Sequence, residues 1–163
     1  MNKTIFISSH PDDECLWGAY TIQRELPDID VFIYRELKAI WRCDESREAM
    51  EYIGLPQPNL HFIDRFKQLP AADSVNTVYA PAMQGGHPFH DETCEYAIRT
   101  YGTKAILYAC YTKDKTKPPF GRVKVEATER MQKRKAEALR YYESQRYIAK
   151  VHFDLESKDE FYF

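Results

Sequence analysis

The chain predicts an α/β fold: a Rossmann-like arrangement with a mainly parallel sheet flanked by helices. Short apolar runs rich in strand formers alternate with longer segments whose apolar residues recur at helical spacing, which is the pattern of βαβ units. The 163 residues suffice for one core and are short for two. No internal repeat or low-complexity tract divides them, so residues 1–163 are expected to form a single domain.

Thr4–Ser8 reads as the first strand. Glu14–Leu26 follows as a helix, with Leu16, Ala19, Tyr20, Gln23 and Leu26 on one stripe and Pro27–Asp28 as its stop. Val31–Tyr34 is a second strand. Arg42–Gly54 is a second helix that turns Ala49, Met50 and Ile53 inward and ends on Gly54. Leu60–Ile63 is a third strand, Phe66–Thr77 an irregular stretch, and Val78–Ala80 a short strand ended by Pro81. Asp91 is placed to cap a helix carrying Cys94, Ala97, Ile98 and Tyr101 on one face. Lys104–Cys110 is a strand, Lys113–Arg122 a polar loop, and Glu126–Gln145 the longest helix. Tyr147–Leu155 is a last strand or part of a tail. The closing Phe161–Tyr162–Phe163 docks on the core or on another subunit, or frays, so a homo-oligomer is left open.

A formal net charge of -2 gives no electrostatic case for nucleic acid or an acidic membrane surface as the main partner. The late helix mixes Arg130, Lys133, Arg134, Lys135 and Arg140 with Glu126, Glu129 and Glu137, which is a solvated face and not a basic stripe. No apolar run approaches the ~20 residues that span a bilayer, and the strand pattern begins too early for a signal peptide. Cys15, Cys43, Cys94 and Cys110 are scattered without a CxxC pair. They are expected as reduced, buried thiols of a cytoplasmic protein.

Two clusters carry the chemistry. His10–Pro11–Asp12–Asp13–Glu14 places one imidazole and three carboxylates directly after the first strand. Gly86–His87–Pro88–Phe89–His90 brings two more imidazoles after Val78–Ala80. Ligands of such sheets sit beyond the carboxyl ends of the strands, so both clusters are expected on one rim. With Pro11 starting a helical turn, His10 and Asp13 share a face. His90 then completes two imidazoles and a carboxylate, a plausible catalytic zinc set with a position left for water. Asp12 points elsewhere, free to act as a base. His87 faces the same cavity as a proton donor or oxyanion partner. His61 and His152 lie in strand-like contexts without partners and receive no role. Tyr79, Tyr111 and Phe120 are the aromatics expected near the cleft.

These residues resemble the LmbE-like, or PIG-L, family of zinc-dependent de-N-acetylases. The His10–Glu14 stretch resembles its N-terminal signature. Arg42, Glu45, Ala49, Ile53 and Gly54 follow its R-x-x-E-x-x-x-A-x-x-x-L-G helix, with Ile53 for the leucine. Val78–Pro81, Gly86–His90 and Ala97 resemble its second metal motif, and Leu107–Tyr108 the strand after it. Lys135, Ala138, Leu139, Tyr142, Ser144 and Gln145 resemble its late helix ending in S-Q. The likeness implies one zinc per chain held by His10, Asp13 and His90. It also implies Asp12 as general base and His87 as partner of the tetrahedral intermediate and leaving amine. Arg42 would lie near bound substrate, the alternative being an ion pair with Glu14 or Glu45. The implied reaction removes an N-acetyl group from an N-acetylglucosamine-type sugar or glycoconjugate. Another small amide conjugate, or a non-catalytic metal- or sugar-binding module, remains open.

Three features depart from the family. Phe89 stands where an aspartate usually orients the first histidine, so either another group such as Asp91 or Glu92 takes that task or His87 is a weaker acid catalyst. Gly85 stands where some relatives carry a tyrosine. The chain is short, so residues 63–78 and 111–126 must build much of the substrate wall, which suggests an open cleft.

Overall fold

The computed structural model describes residues 3–36, 38–110, 121–145 and 159–163. In chain order the strands are β1 (Lys3–Ser8), β2 (Ile29–Tyr34), β3 (Leu60–Ile63), β4 (Val75–Pro81), β5 (Ala105–Tyr108), β6 (Val123–Lys124) and β7 (Phe161–Tyr162). The helices are α1 (Asp13–Leu16), α2 (Ala19–Glu25), α3 (Trp41–Ile53), α4 (Pro88–Tyr101) and α5 (Glu129–Ala138). The seven strands form one sheet in the order β3-β2-β1-β4-β5-β7-β6. The first five are parallel, and β7 runs antiparallel to both β5 and β6.

Alternation along the strands splits the core into two layers. Phe6 of β1 and Ile29, Val31 and Ile33 of β2 pack with Leu16, Ile22, Met50, Ile53 and Ala138 of the helices on one face. Ile5 and Ile7, with Phe32 and Tyr34, pack with Ala97 and Tyr101 of α4 on the other. The strand order reverses between β1 and β4, because the chain winds outward from β1 through β3 before returning to β4. Such a reversal opens a crevice at the carboxyl ends of the two central strands. The two histidine clusters follow those two strands.

Three expected elements differ. The helix expected over Glu14–Leu26 is broken at Trp17–Gly18 into α1 and α2. Gly18 lies against the sheet so closely that a Cβ there would sit 2.2 Å from Phe6 Cζ. The helix expected over Glu126–Gln145 begins later, where Thr128 accepts from Met131 N–H, and loosens after Ala138 into 3₁₀ turns. Asp91 does not cap α4; His87 does, its Nδ1 accepting from Phe89 N–H at 3.3 Å. The end of the chain is docked, as β7 between β5 and β6. The strand expected over Tyr147–Leu155, most of the loop expected over Lys113–Arg122, and Tyr111, Phe120 and His152 lie outside the described residues. All four cysteines are buried and none forms a disulfide. Among the described residues, no helix is long and apolar enough to cross a membrane.

Candidate metal centre

The first loop is tied down residue by residue. Ser8 Oγ donates to His10 O and to Glu14 Oε2. The Asp13 carboxylate accepts from His10 N–H at 2.9 Å through Oδ2 and from Trp17 Nε1 at 3.2 Å through Oδ1. Pro11 does not start a helix. His10 and Asp13 meet because the Asp13 side chain closes a turn onto the His10 backbone. Asp12 precedes α1 at φ 121°, a conformation that costs a non-glycine residue on the order of 1–3 kcal/mol unless its surroundings enforce it. The surroundings do so. Asp12 O accepts from Cys15 and Leu16, Asp12 N–H donates to Glu14, and its carboxylate receives Arg42 at 3.0 Å.

The second loop owes less to distant residues. Asp91 Oδ1 accepts from the N–H groups of Gln84 and Gly85, each at 3.2 Å, and folds the approach to α4. Gly85 sits there at φ 67°, which a tyrosine at this position could adopt only with strain. The orientation of His87 therefore does not come from Asp91; the N–H of Phe89 itself holds Nδ1. Ser9 Oγ donates to Thr93 Oγ1, pinning the first loop onto α4.

That pin brings the three expected ligands together. His10 Nδ1 lies 3.0 Å from His90 Nε2, and Asp13 Oδ2 lies 3.0 Å from His90 Nε2 and 3.4 Å from His10 Nδ1. Donor atoms around a tetrahedral ion with bonds of about 2.0–2.1 Å stand about 3.3 Å apart, so this triangle has the dimensions of a zinc site. His87 borders it, edge-on to His10 with ring centroids 4.5 Å apart. One nitrogen each from His10, His87 and His90 falls within 4.8 Å of the others, a looser grouping than the triangle with Asp13.

The charges are arranged unequally. Burial alone would raise the Asp13 carboxyl, but the imidazoles of His90 and His10 outweigh it and hold it well below the usual carboxylate range. Burial pushes Asp12 well up, and the neighbouring Asp13 charge adds to this, while Arg42 opposes both. Glu14 is raised by burial as well and faces away from the triangle, accepting from Tyr142 Oη at 2.6 Å.

Arg42 pairs with neither Glu14 nor Glu45. It grips Asp12, Pro11 O at 2.6 Å and Glu36. Glu45 instead binds Ser144 through both N–H and Oγ, which joins α3 to the turn after α5. Tyr79 is not in the cleft. Its hydroxyl donates to Glu25, and its ring stacks against Tyr162 in the core. His61 pairs with Asp30 at 2.9 Å and stacks on Phe32, away from these ligands. Phe89 contacts His10, Tyr34 and Phe66, so residues from the irregular 66–77 stretch do approach the site. Trp17, the indole that orients Asp13, was not legible in the sequence. Its spacing of four from Asp13 on one helical turn is the signal that could have found it.

The fold, a mostly parallel sheet with helices on both faces, is shared with solved deacetylases of the LmbE/PIG-L type. A teicoplanin-pathway deacetylase (Orf2 triple mutant) shares it at TM-score 0.67 and 16% identity, over 92% of this chain and 85% of that one. The N,N'-diacetylchitobiose deacetylase of Pyrococcus horikoshii matches at TM-score 0.62 and 19% identity, over 92% and 73%. GalB, a 4-carboxy-2-hydroxymuconate hydratase of Pseudomonas putida, matches at TM-score 0.64 and 11% identity, over 99% and 95%. No family model and no curated protein sequence matches the chain. Identities this low establish a common fold, and one that hosts more than one reaction.

Proposed function

We propose that this chain is a zinc-dependent N-deacetylase, acting on an N-acetylated amino sugar or glycoconjugate. The observation that carries the reading is the donor triangle of His10, Asp13 and His90, sized for one tetrahedral ion. The fold shared with deacetylases supports it. When bound, zinc supplies Lewis-acid polarisation of a carbonyl and a water acidified toward a pKa of ~7.

The chain's own residues do the rest. Asp12 takes the proton from the attacking water, and Arg42 fixes its carboxylate through one oxygen, Oδ2. Burial that raises Asp12 makes it a better proton acceptor, and the Arg42 guanidinium opposes that rise. His87, with Nδ1 held as an acceptor by the Phe89 N–H, presents Nε2 as the donor to the acetyl oxygen and then to the departing nitrogen. Arg42 also meets a polar group of the substrate beside Asp12. The aromatic wall of Phe66 and Phe89 excludes water on one side.

Elemental analysis of the purified chain, coupled to amine and acetate detection on a panel of N-acetylated sugars and glycoconjugates, tests this. One zinc per chain, amine release abolished by chelator and recovery on adding zinc are expected. Bound zinc with no amine from any of them would favour another amide or a binding-only module. The hydratase likeness adds one arm to the panel: water addition to an unsaturated dicarboxylate without amine release would replace the deacetylase reading.

A further inference from the structure

The broken helix between α1 and α2 is filled by an ion pair from far along the chain. In a continuous helix Tyr20 N–H would donate to Leu16 O, four residues back. Here Leu16 O instead receives Lys135 Nζ at 2.8 Å. Tyr20 N–H donates to both oxygens of Glu160, at 2.9 and 3.0 Å, and Thr21 N–H to one of them at 3.3 Å. Lys135 and Glu160 close the circuit at 2.9 Å, and their side chains are 1% and 0% exposed. The pair occupies the place of the missing helical bonds. Glu160 stands immediately before β7, and the Tyr162 hydroxyl bonds Thr21 Oγ1, so the last strand and α5 both reach this break.

The break matters because of what α1 carries. A helix of one turn has too few bonds of its own to persist. Yet α1 holds Asp13 at its start, and Trp17 follows at its end. Trp17 N–H donates to Asp13 O at 2.8 Å, and its indole donates to Asp13 Oδ1, leaving Oδ2 toward the imidazoles. A healed helix, with Tyr20 bonded to Leu16, would draw the Trp17 end of α1 toward α2 and away from this contact.

We propose that Lys135 and Glu160 are positioning residues for the metal centre: by wedging the α1–α2 break open they hold Trp17 against Asp13 and so set the ligand geometry. The inference rests on Asp13 being a metal ligand, as proposed above. Stability is read separately from positioning, because an apolar exchange also takes the partners of Leu16 O and of the Tyr20 and Thr21 N–H groups.

The test uses Lys135→Met/Glu160→Leu, Glu160→Gln, Trp17→Phe and the combination of Trp17→Phe with Lys135→Met/Glu160→Leu. Zinc affinity is read by competition with a chromophoric chelator, and thermal midpoints are recorded alongside. Loss of a group orienting a ligand lowers metal affinity ~10–100-fold, so a loss in that range is expected for the apolar exchange and for Trp17→Phe. The combination is expected to lose no more than the worse of its parts, since both act on Asp13 through one contact. In a Trp41→Phe background, which leaves Trp17 as the sole tryptophan, metal-free emission should move to longer wavelength when the pair is exchanged. Should Glu160→Gln fail to fold, the apolar exchange and Trp17→Phe still decide. Zinc affinity equal to the parent's in the apolar exchange, losses that multiply in the combination, or unshifted emission overturns the inference alone. No zinc uptake by the unsubstituted chain overturns the metal assignment and this inference with it.

Discussion

The two loops that supply the candidate ligands are built by opposite means. The loop after β1 is buried and is held by side chains from distant elements, Arg42 on Asp12 and Tyr142 on Glu14, with Trp17 at the end of the same short helix on Asp13. It contains a non-glycine residue at positive φ. The loop before α4 is partly exposed and leans more on nearby groups, through Asp91 on its own backbone and His87 capping its own helix, with one tie to the sheet where Gln84 Oε1 accepts from Cys110 N–H at 2.6 Å. The comparison teaches that chemistry needing two ionised or ionisable carboxylates side by side demands support from the whole fold. Placing two imidazoles three residues apart asks for a helix start and a tie to the sheet.

Substitutions should therefore hurt the two loops differently. The largest effect is expected from Asp13→Ala. It removes a ligand and leaves His10 N–H and Trp17 Nε1 without their acceptor, each worth about 1–3 kcal/mol when buried unsatisfied. Elemental analysis should find no stoichiometric zinc, and the urea midpoint should fall. Next comes Asp12→Asn, which keeps the Arg42 contact but removes the proton acceptor. Turnover should drop ~10²–10⁴-fold while zinc content holds near one per chain, and unchanged kcat would remove Asp12 from the mechanism. Tyr142→Phe is a test of remote support. Leaving Glu14 short of a buried hydrogen bond should cost about 1–3 kcal/mol in urea denaturation, with zinc still bound. The smallest effect belongs to the locally built loop. Gly85→Ala should cost about 1 kcal/mol for its positive φ and leave zinc affinity as it was; a collapse of metal binding there would show that the second loop is no more self-sufficient than the first.

Much of this was legible in the sequence, and the divide follows the same line. The strands β1 to β5 announce themselves through β-branched and aromatic runs, and the shared rim of the histidine clusters follows from parallel topology alone. The convergence of residues 10, 13 and 90 was legible for the same reason. What was not legible depends on partners far along the chain. The break at Gly18 is set by the Phe6 ring and by Lys135 and Glu160, none of which a helical periodicity can register. Tyr79, expected near the cleft, lies in the core. A strand alternates its faces, and Tyr79 falls on the side of α2 and Tyr162. The exchange of partners between Arg42 and Glu45 was equally hidden, since each finds its mate more than one element away.

The insertion of β7 between β5 and β6 orders events during synthesis. Among the described residues Val123–Lys124 pairs with residues 161–162 and with no earlier strand, so translation past residue 124 leaves that stretch waiting. The five parallel strands can assemble while the ribosome continues, whereas the antiparallel edge closes only once residues 161–162 have emerged.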